Sequence, residues 1–253
     1  MNLDENMFVG LIADGNRTWA LEHSQKESKD QLTSDELYEA YHLGGERVKQ
    51  AAERAREEGV AIFSAWGGSM KNLSGRPKRE VGVLHAIYEH FLTELRDVWM
   101  DKEGNRDVRF VHMGQTERIQ HFAPQVMTLI HEIDEHTRQR AGMVMAVCLD
   151  YDGLDERDRA IQQWVQQGRK DSPRGWLDHL DLPRQGVKFQ PVNLILRTSV
   201  DPSKNSVYDN EYLHSYQNET RVRACTACLP DFTAEMFSGE LAKYRAETKR
   251  EGK

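Results

Sequence analysis

Two polar segments of this chain carry the residue types that could bind a phosphorylated substrate and a metal ion. The first segment, residues 14–19, opens with Asp14 and directly follows an apolar run over residues 7–13. The Asp14 carboxylate suits Mg²⁺, which usually takes one or two carboxylates and completes its shell with water and phosphate oxygens. The second segment, residues 197–206, follows an apolar run over residues 192–196. Its arginine, lysine and hydroxyl side chains would form a receptor for a diphosphate.

Short apolar runs alternate with longer amphipathic segments, and this alternation predicts the elements that position both polar segments. The apolar runs cover residues 7–13, 60–66, 108–112, 143–149 and 192–196, with a weaker one at 222–228. Most of them are apolar throughout, which is typical of strands buried on both faces of a parallel sheet. The amphipathic segments predict helices over residues 33–59, 78–100, 124–141, 156–167 and 234–250. Thr33 and Glu36 have the spacing of a capping box at the start of the first helix.

The order of these elements predicts an α/β fold. We expect a single domain over residues 1–253, with a mostly parallel central sheet flanked by helices. In such sheets, ligands bind at the carboxyl ends of the strands, next to helix N-termini. Residues 14–19 and 197–206 both follow predicted strands, so both occupy positions where a ligand is expected.

The composition limits the partners and the compartment of the protein. A net charge of −7 argues against general affinity for nucleic acid and limits membrane contact to the periphery, because both partners favour basic faces. Three cysteines are too few for a disulfide framework, and their odd number favours a reducing compartment. The N-terminus has no basic start, and no apolar run approaches the roughly 20 residues that span a bilayer. We therefore expect a soluble, cytoplasmic protein.

Six partial motifs, taken in chain order, resemble those of the cis-prenyltransferase (undecaprenyl diphosphate synthase) family. They are Ala13-Asp14-Gly15-Asn16-Arg17-Thr18-Trp19-Ala20, Tyr41-His42-Leu43-Gly44-Gly45, Phe63-Ser64 with residues 71–77, Tyr151-Asp152-Gly153-Leu154-Asp155-Glu156, Leu194-Ile195-Leu196-Arg197-Thr198-Ser199 and Leu229-Pro230-Asp231-Phe232. The resemblance implies the family's fold, with an apolar tunnel between the sheet and two long helices. It also implies a Mg²⁺-dependent condensation of isopentenyl diphosphate with a short allylic diphosphate, carried out by a homodimer.

The resemblance further assigns roles to individual residues. The isopentenyl diphosphate is expected on Arg197, Ser199, Ser203, Lys204 and Ser206. The allylic diphosphate is expected on Gly15, Asn16, Arg17, Thr18, Trp19 and Arg76. Asp14 is the expected Mg²⁺ ligand. Glu219 matches the family's second metal ligand if this chain has gained or lost two residues in that region relative to the family. Asn72 and His42 match family residues near the reacting groups, so orientation or proton removal is their implied role beside Asp14.

Several departures from the family pattern fall on the allylic side of the expected site. Thr18 and Tyr38 stand where the family has arginines, Leu73 replaces a tryptophan, and Gly75 displaces Arg76 by one position. These changes predict a divergent member with an altered allylic site, similar to relatives that couple short units irregularly, such as lavandulyl-type synthases.

Two alternatives remain open. One is a non-catalytic accessory subunit of a cis-prenyltransferase, although such subunits usually lack the acid that Asp14 provides. The other is an unrelated phosphate-binding α/β enzyme.

Overall fold

The structure is a computed structural model that describes residues 4–69, 75–169, 172–201 and 212–250. Within these residues, six strands form one sheet. They are β1 (Asp4–Ile12), β2 (Val60–Gly68), β3 (Arg109–Met113), β4 (Val144–Leu149), β5 (Val192–Arg197) and β6 (Gln217–Ala224). Their order is β3-β4-β2-β1-β5-β6, and every neighbouring pair is parallel. The predicted α/β fold with a parallel central sheet is therefore confirmed.

Eight α-helices lie in the described part of the chain. They are α1 (Asn16–Glu22), α2 (Ser34–Glu57), α3 (Lys78–Glu94), α4 (Thr116–Phe122), α5 (Pro124–Thr137), α6 (Gly153–Gln166), α7 (Asp181–Arg184) and α8 (Ala234–Arg250). A π-helical turn, Leu95–Trp99, extends α3, so the predicted helix over residues 78–100 is present almost in full. Short 3₁₀ turns occur at Lys29–Gln31, Gly175–His179, His214–Tyr216 and Leu229–Asp231.

Helices cover both faces of the sheet, because successive side chains of a strand point to opposite faces. Val9 of β1 belongs to a core shared with α2, α3, α5 and α8. Its neighbour Phe8 belongs to a second core on the other face, which includes residues of α6, α7 and the Tyr212–Tyr216 region. Burial on both faces explains why the strand sequences are apolar without alternation.

The N-terminus of α2 is fixed by the predicted capping box. The hydroxyl of Thr33 accepts a hydrogen bond from the backbone N–H of Glu36 at 3.2 Å, and the Glu36 carboxylate accepts one from the backbone N–H of Thr33 at 2.7 Å. This exchange satisfies two donors that a helix start otherwise leaves without partners. The cap therefore sets the residue at which α2 begins.

Three predicted boundaries need correction. The last strand begins at Gln217 and ends at Ala224, several residues before the predicted run over residues 222–228. The predicted helix over residues 124–141 ends at Thr137. The stretch over residues 168–186 is polar and turn-rich, a composition that predicts a surface loop, but its described part contains α7 and a 3₁₀ turn.

Two further features concern the helices and the cysteines. In the part of the chain that the structure describes, no helix combines the length and the hydropathy needed to cross a membrane. Cys148, Cys225 and Cys228 are all free thiols, so none of the three is part of a disulfide.

Candidate functional site

A cavity of about 460 Å³ lies at the carboxyl edge of the sheet, between the strands and helices α2 and α3. One part of its wall is apolar and is formed by Val48, Ala65, Leu84, Ile87, Tyr88, Phe91, Val147 and Leu149. The other part is polar and includes Asp14, Gly15, Asn16, Arg17, Thr18, Lys29, Arg76, Arg197 and Ser199. A cavity of this kind can hold a molecule with a charged head and a hydrocarbon tail.

An ion pair between Asp14 and Arg197 stands in the polar part of the cavity. The Nε and Nη2 atoms of Arg197 contact the same carboxylate oxygen, Oδ2, at 3.0 and 2.8 Å. The other oxygen, Oδ1, has no hydrogen-bond or ion-pair partner among the described residues, and the Asp14 side chain is 48% exposed. The pair therefore presents one accessible carboxylate oxygen beside a fixed guanidinium group.

The buried hydroxyl of Thr198 holds the backbone of Asp14 in place. The backbone N–H of Asp14 donates to Thr198 Oγ1 at 2.9 Å, and this hydroxyl donates back to the carbonyl oxygen of Asp14 at 2.6 Å. Because Ile12 and Arg197 are paired in neighbouring strands, the segments that follow them leave the sheet side by side. Parallel pairing of β1 with β5 thus brings together two segments that are more than 180 residues apart.

Gly15 and Ser199 pack against each other where these two segments meet. Gly15 has φ of 106°, and a Cβ atom at this position would lie 2.6 Å from the Cβ of Ser199 and 3.0 Å from the Cα of Cys228. Ser199 itself has φ of 56°, and its N–H donates to the carbonyl of Ala227 at 2.7 Å. Only glycine combines this backbone conformation with so close an approach.

A buried carboxylate organises the cationic residues on the helical side of the cavity. Glu80 is only 6% exposed, and its Oε1 accepts hydrogen bonds from Arg76 Nη1 at 2.6 Å and from the hydroxyl of Tyr41 at 3.1 Å. The Nε of Arg17 lies 3.5 Å from the same oxygen, and Arg76 also contacts the Tyr41 hydroxyl. Burial raises the pKa of Tyr41 to about 12, so this hydroxyl keeps its proton at neutral pH.

Three predicted binding residues of α1 have different surroundings. The Thr18 hydroxyl accepts a hydrogen bond from Lys29 Nζ at 2.9 Å, which brings a cation to the cavity wall. The buried Oδ1 of Asn16 has no hydrogen-bond partner among the described residues. The indole of Trp19 donates to Asp231 Oδ1 at 3.0 Å and ties α1 to the Leu229–Asp231 turn. Trp19 therefore anchors the site instead of lining it.

The structure does not place His42 in the cavity. Among the described residues of α2 that line it are Tyr41, Gly44, Gly45 and Val48, which share one face of the helix. His42 is one residue, or about 100°, away from Tyr41 and packs against His90 of α3. The prediction that His42 acts on the reacting groups is therefore not supported, and Tyr41 occupies the position in the wall.

Glu219 is also too far from Asp14 to share an ion with it in one chain. It lies near the start of β6, five residues before Ala224, which pairs with Arg197 at the end of β5. At about 3.3 Å per strand residue, this places Glu219 roughly 15 Å from the edge that carries Asp14. Within one chain, Glu219 therefore does not reach the Asp14 carboxylate, and its assignment as the second metal ligand stays a prediction.

Asn72, Ser203, Lys204 and Ser206 lie outside the described residues. The predicted residues that the structure does bring together are Asp14, Gly15, Asn16, Arg17, Thr18, Arg76, Arg197 and Ser199. Lys29, Tyr41 and Glu80 are further residues of the site that were not predicted from the sequence. For Tyr41 a signal existed, because its spacing from Leu37 and Val48 places it on the inner face of α2.

Solved structures and sequence relatives agree with this fold. A lavandulyl diphosphate synthase from Lavandula x intermedia superposes with a TM-score of 0.78 at 21% identity, covering 95% of each chain. A probable undecaprenyl diphosphate synthase from Campylobacter jejuni superposes with a TM-score of 0.70 at 18% identity, covering 96% of each chain. An isoprenyl transferase of Wolinella succinogenes is 22% identical over 253 residues, which cover 99% of this chain and 98% of the relative.

The family itself follows from a match over almost the whole chain. A family model described as putative undecaprenyl diphosphate synthase matches residues 12–252. This match includes both polar segments and both long helices of the cavity wall, and it confirms the predicted family together with the predicted class of enzyme, a prenyltransferase. The chain belongs to the undecaprenyl diphosphate synthase family, the cis-prenyltransferases.

Proposed function

We propose that this chain is a prenyl-diphosphate synthase that condenses isopentenyl diphosphate with a short allylic diphosphate in the presence of Mg²⁺. One observation carries the proposal: an accessible oxygen of Asp14 stands beside the Arg197 guanidinium at the polar end of a cavity whose other wall is apolar. The reaction needs these three elements together, namely a metal ligand, a receptor for diphosphate and a dry space for a hydrocarbon chain.

The two substrates would divide the polar end of the cavity between them. Arg197 and Ser199 line the cavity and would bind the diphosphate of the isopentenyl unit. Arg197 supplies the N–H donors of its guanidinium group, and Ser199 supplies a hydroxyl. Arg17, Arg76 and Lys29 form the cationic side on which the allylic diphosphate is expected. The allylic tail would extend along the apolar wall toward Tyr88, which is buried at 9% exposure.

The donor set around Asp14 fits Mg²⁺. The ion commonly uses one carboxylate and completes its octahedral shell with water and phosphate oxygens, so Asp14 Oδ1 and a bound diphosphate would suffice. When bound, Mg²⁺ neutralises charge that builds up on the departing diphosphate. Arg17 and Arg76 would stabilise the same charge through hydrogen bonds, while the double bond of the isopentenyl unit attacks the allylic carbon and a proton is lost from the new chain.

The test is to incubate the pure protein with isopentenyl diphosphate, Mg²⁺ and, separately, dimethylallyl, geranyl or farnesyl diphosphate, with products identified by mass spectrometry. We expect a product from at least one allylic substrate. The variant Asp14→Ala should abolish turnover and keep the circular dichroism spectrum, and the surface variant His131→Ala should retain wild-type turnover. Absence of product in every combination, or full turnover by Asp14→Ala, would refute the proposal.

Irregular coupling of two allylic units is the second candidate function. It is favoured by the altered allylic side of the cavity. There, the positive charge next to Thr18 comes from Lys29, and the buried Glu80 forms ion pairs with Arg76 and Arg17. A product formed from dimethylallyl diphosphate alone would support this function over regular elongation. Turnover that appears only after another chain is added would support the accessory-subunit alternative.

The assembly and the compartment are part of the same proposal. Family members are typically homodimers, so we expect two chains per particle in light scattering at concentrations used for the assay. We also expect the protein in the cytoplasm, which cell fractionation would test.

A further inference from the structure

Helices α2 and α3 carry a cluster of two imidazoles and a carboxylate that lies outside the cavity. One ligand atom each of His42, His90 and Glu94 lies within 4.8 Å of the others, and all three side chains are half-buried. The rings of His42 and His90 have their centroids 4.9 Å apart and are nearly perpendicular. Among the described residues this is the one group of three such ligands. None of its members lines the cavity that contains Asp14, so the cluster is separate from that site.

A nitrogen inside the cluster has no hydrogen bond. The Nε2 of His90 is shielded from solvent and lacks a hydrogen-bond partner among the described residues. It lies 3.4 Å from Glu94 Oε2, one helical turn further along α3. Buried polar atoms in folded proteins usually have a partner, and two further metal-ligand types lie next to this nitrogen. A metal ion held by the three side chains would supply that partner.

The chemistry of the donors selects the class of ion. Two imidazole nitrogens and one carboxylate oxygen are a common ligand set for Zn²⁺ and its borderline neighbours, whereas Mg²⁺ and Ca²⁺ prefer oxygen alone. Bond lengths of about 2.1 Å in a tetrahedral site place ligand atoms about 3.4 Å apart. The three atoms therefore need to approach by at most about 1.5 Å, a shift that side-chain rotation provides.

We propose that His42, His90 and Glu94 form a binding site for one zinc-like transition-metal ion that cross-links α2 to α3. Both helices form walls of the cavity: Tyr41 adjoins His42 in sequence, and Phe91 adjoins His90. Metal at this site ties the two walls together and stabilises the folded state, because the ion binds the native arrangement in preference to the unfolded chain.

A buried lysine sets the affinity of this site. The Nζ of Lys49 lies 2.6 Å from Glu94 Oε2 and 2.5 Å from Glu46 Oε1. Its positive charge repels a cation bound to Glu94 and competes for the carboxylate. Replacing Lys49 by glutamine removes this competition and keeps a side chain of similar reach. Lys49→Gln is therefore expected to bind Zn²⁺ more tightly than the wild type.

The experiment is calorimetric titration of the metal-free full-length protein with ZnCl₂, without Mg²⁺ and substrates. Every protein in the series carries Cys225→Ser and Cys228→Ser, so that these thiols cannot bind the ion. The protein with only these two substitutions is the reference and is called the wild type below. We expect one Zn²⁺ per chain, and a dissociation constant raised at least about tenfold by His42→Ala, His90→Ala or Glu94→Gln. Lys49→Gln should lower it, and His131→Ala, a histidine on α5 outside the cluster, should leave it unchanged. The Tm should rise with Zn²⁺ in the wild type and not in His90→Ala.

Several results would overturn the site. One is the absence of Zn²⁺ binding in both the wild type and Lys49→Gln. Another is binding that survives His42→Ala and His90→Ala in protein with the wild-type circular dichroism spectrum, because the ion then lies elsewhere. A third is equal loss of affinity in His131→Ala. If the alanine variants fail to fold, the decision rests on Lys49→Gln, whose affinity must exceed that of the wild type.

Discussion

Replacing Gly15 by alanine tests whether the contact between the two polar segments depends on glycine. The residue has φ of 106° and ψ of −3°, outside the range that side-chain-bearing residues adopt at low cost. The new methyl carbon would lie 2.6 Å from the Cβ of Ser199 and 3.0 Å from the Cα of Cys228. The second neighbour is backbone, so it cannot move aside by changing a rotamer.

Two separate penalties follow from this geometry. A left-handed backbone conformation costs a residue with a Cβ atom roughly 1–2 kcal/mol. Overpacking of a tight contact by one methyl group costs roughly 1–3 kcal/mol. Because relaxation of the loop relieves part of the contact, we expect Gly15→Ala to lower the free energy of unfolding by about 3 kcal/mol. The same relaxation separates Asp14 from Arg197, so kcat/KM should fall as well.

Two other glycines separate these penalties experimentally. Gly186 also has positive φ, 78°, but a methyl group there meets nothing within 4 Å, so Gly186→Ala should cost only the backbone penalty of about 1 kcal/mol. Gly82 lies inside α3 with no neighbour within 4 Å of the added carbon. Gly82→Ala should therefore raise stability by about 0.5–1 kcal/mol, because alanine has the higher helix propensity. Neither residue lines the cavity, so both variants should keep the wild-type kcat/KM.

Urea unfolding followed by circular dichroism measures all three variants, and the prenyl transfer assay measures their turnover. From the most to the least stable protein, the expected order is Gly82→Ala, wild type, Gly186→Ala and Gly15→Ala. If Gly15→Ala is as stable as Gly186→Ala, the contact with Ser199 and Cys228 contributes nothing. If Gly15→Ala loses stability but keeps its kcat/KM, the link between this contact and the proposed role of the Asp14–Arg197 ion pair is refuted.

Three further predictions concern the cavity, the helix cap and pH. Tyr88→Ala removes a buried ring whose hydroxyl donates to the carbonyl of Gly67 at 3.1 Å, so it should lengthen the cavity and shift the products toward longer chains in mass spectrometry, with a loss of about 3–5 kcal/mol in urea unfolding. Thr33→Ala removes the cap of α2 and should cost about 1 kcal/mol in the same assay, and an unchanged midpoint would contradict the capping role. Burial lowers the pKa of His112 below the ordinary 6.5, so the folded state favours the neutral ring, and the stability it contributes is present above pH 6.5 and lost as pH falls. His112→Gln should show a shallower loss of unfolding free energy than the wild type on acidification, and parallel pH profiles would contradict this assignment.

The sheet was predictable because burial on both faces leaves a strong signal in the sequence. Every central strand is an apolar run that a helix of the core must cover on each face. The last strand, β6, lies at the edge of the sheet, and its residues are exposed or half-buried. It therefore lacks an apolar run. The strand predicted over residues 222–228 follows the more apolar residues at the end of β6 and beyond it. Helices α1 and α4 were missed because seven residues are too few to establish a 3.6-residue period.

The ion pair of Asp14 and Arg197 was predictable in its residues but not in its geometry. The rule that ligands bind after the carboxyl ends of parallel strands pointed to Asp14 and Arg197 separately. That the two segments touch depends on β5 being the neighbour of β1, which follows from the packing of the whole sheet and not from any local pattern. The contribution of Glu80 was equally hidden, because an acidic residue in the first turn of a helix normally interacts with the helix dipole at the surface.

Under the proposed function, the contacts of the buried Glu80 would account for allylic diphosphate binding without the two arginines that the family has at Thr18 and Tyr38. Arg17, Arg76 and Lys29 bring three positive charges to this wall, and Glu80 removes one of them. Two net positive charges remain. Glu80 holds Arg17 and Arg76 in position, and the Thr18 hydroxyl accepts from Lys29, so a diphosphate would bind there without first ordering these side chains. In the proposed site an incoming diphosphate shares Arg76 with Glu80, and we expect Mg²⁺ at Asp14 to offset the repulsion between the two anions. Affinity for the allylic substrate should therefore fall more steeply on Mg²⁺ removal in the wild type than in Glu80→Gln, which calorimetry with a non-reactive allylic analogue measures. An equal Mg²⁺ dependence in both proteins would contradict this account of the site.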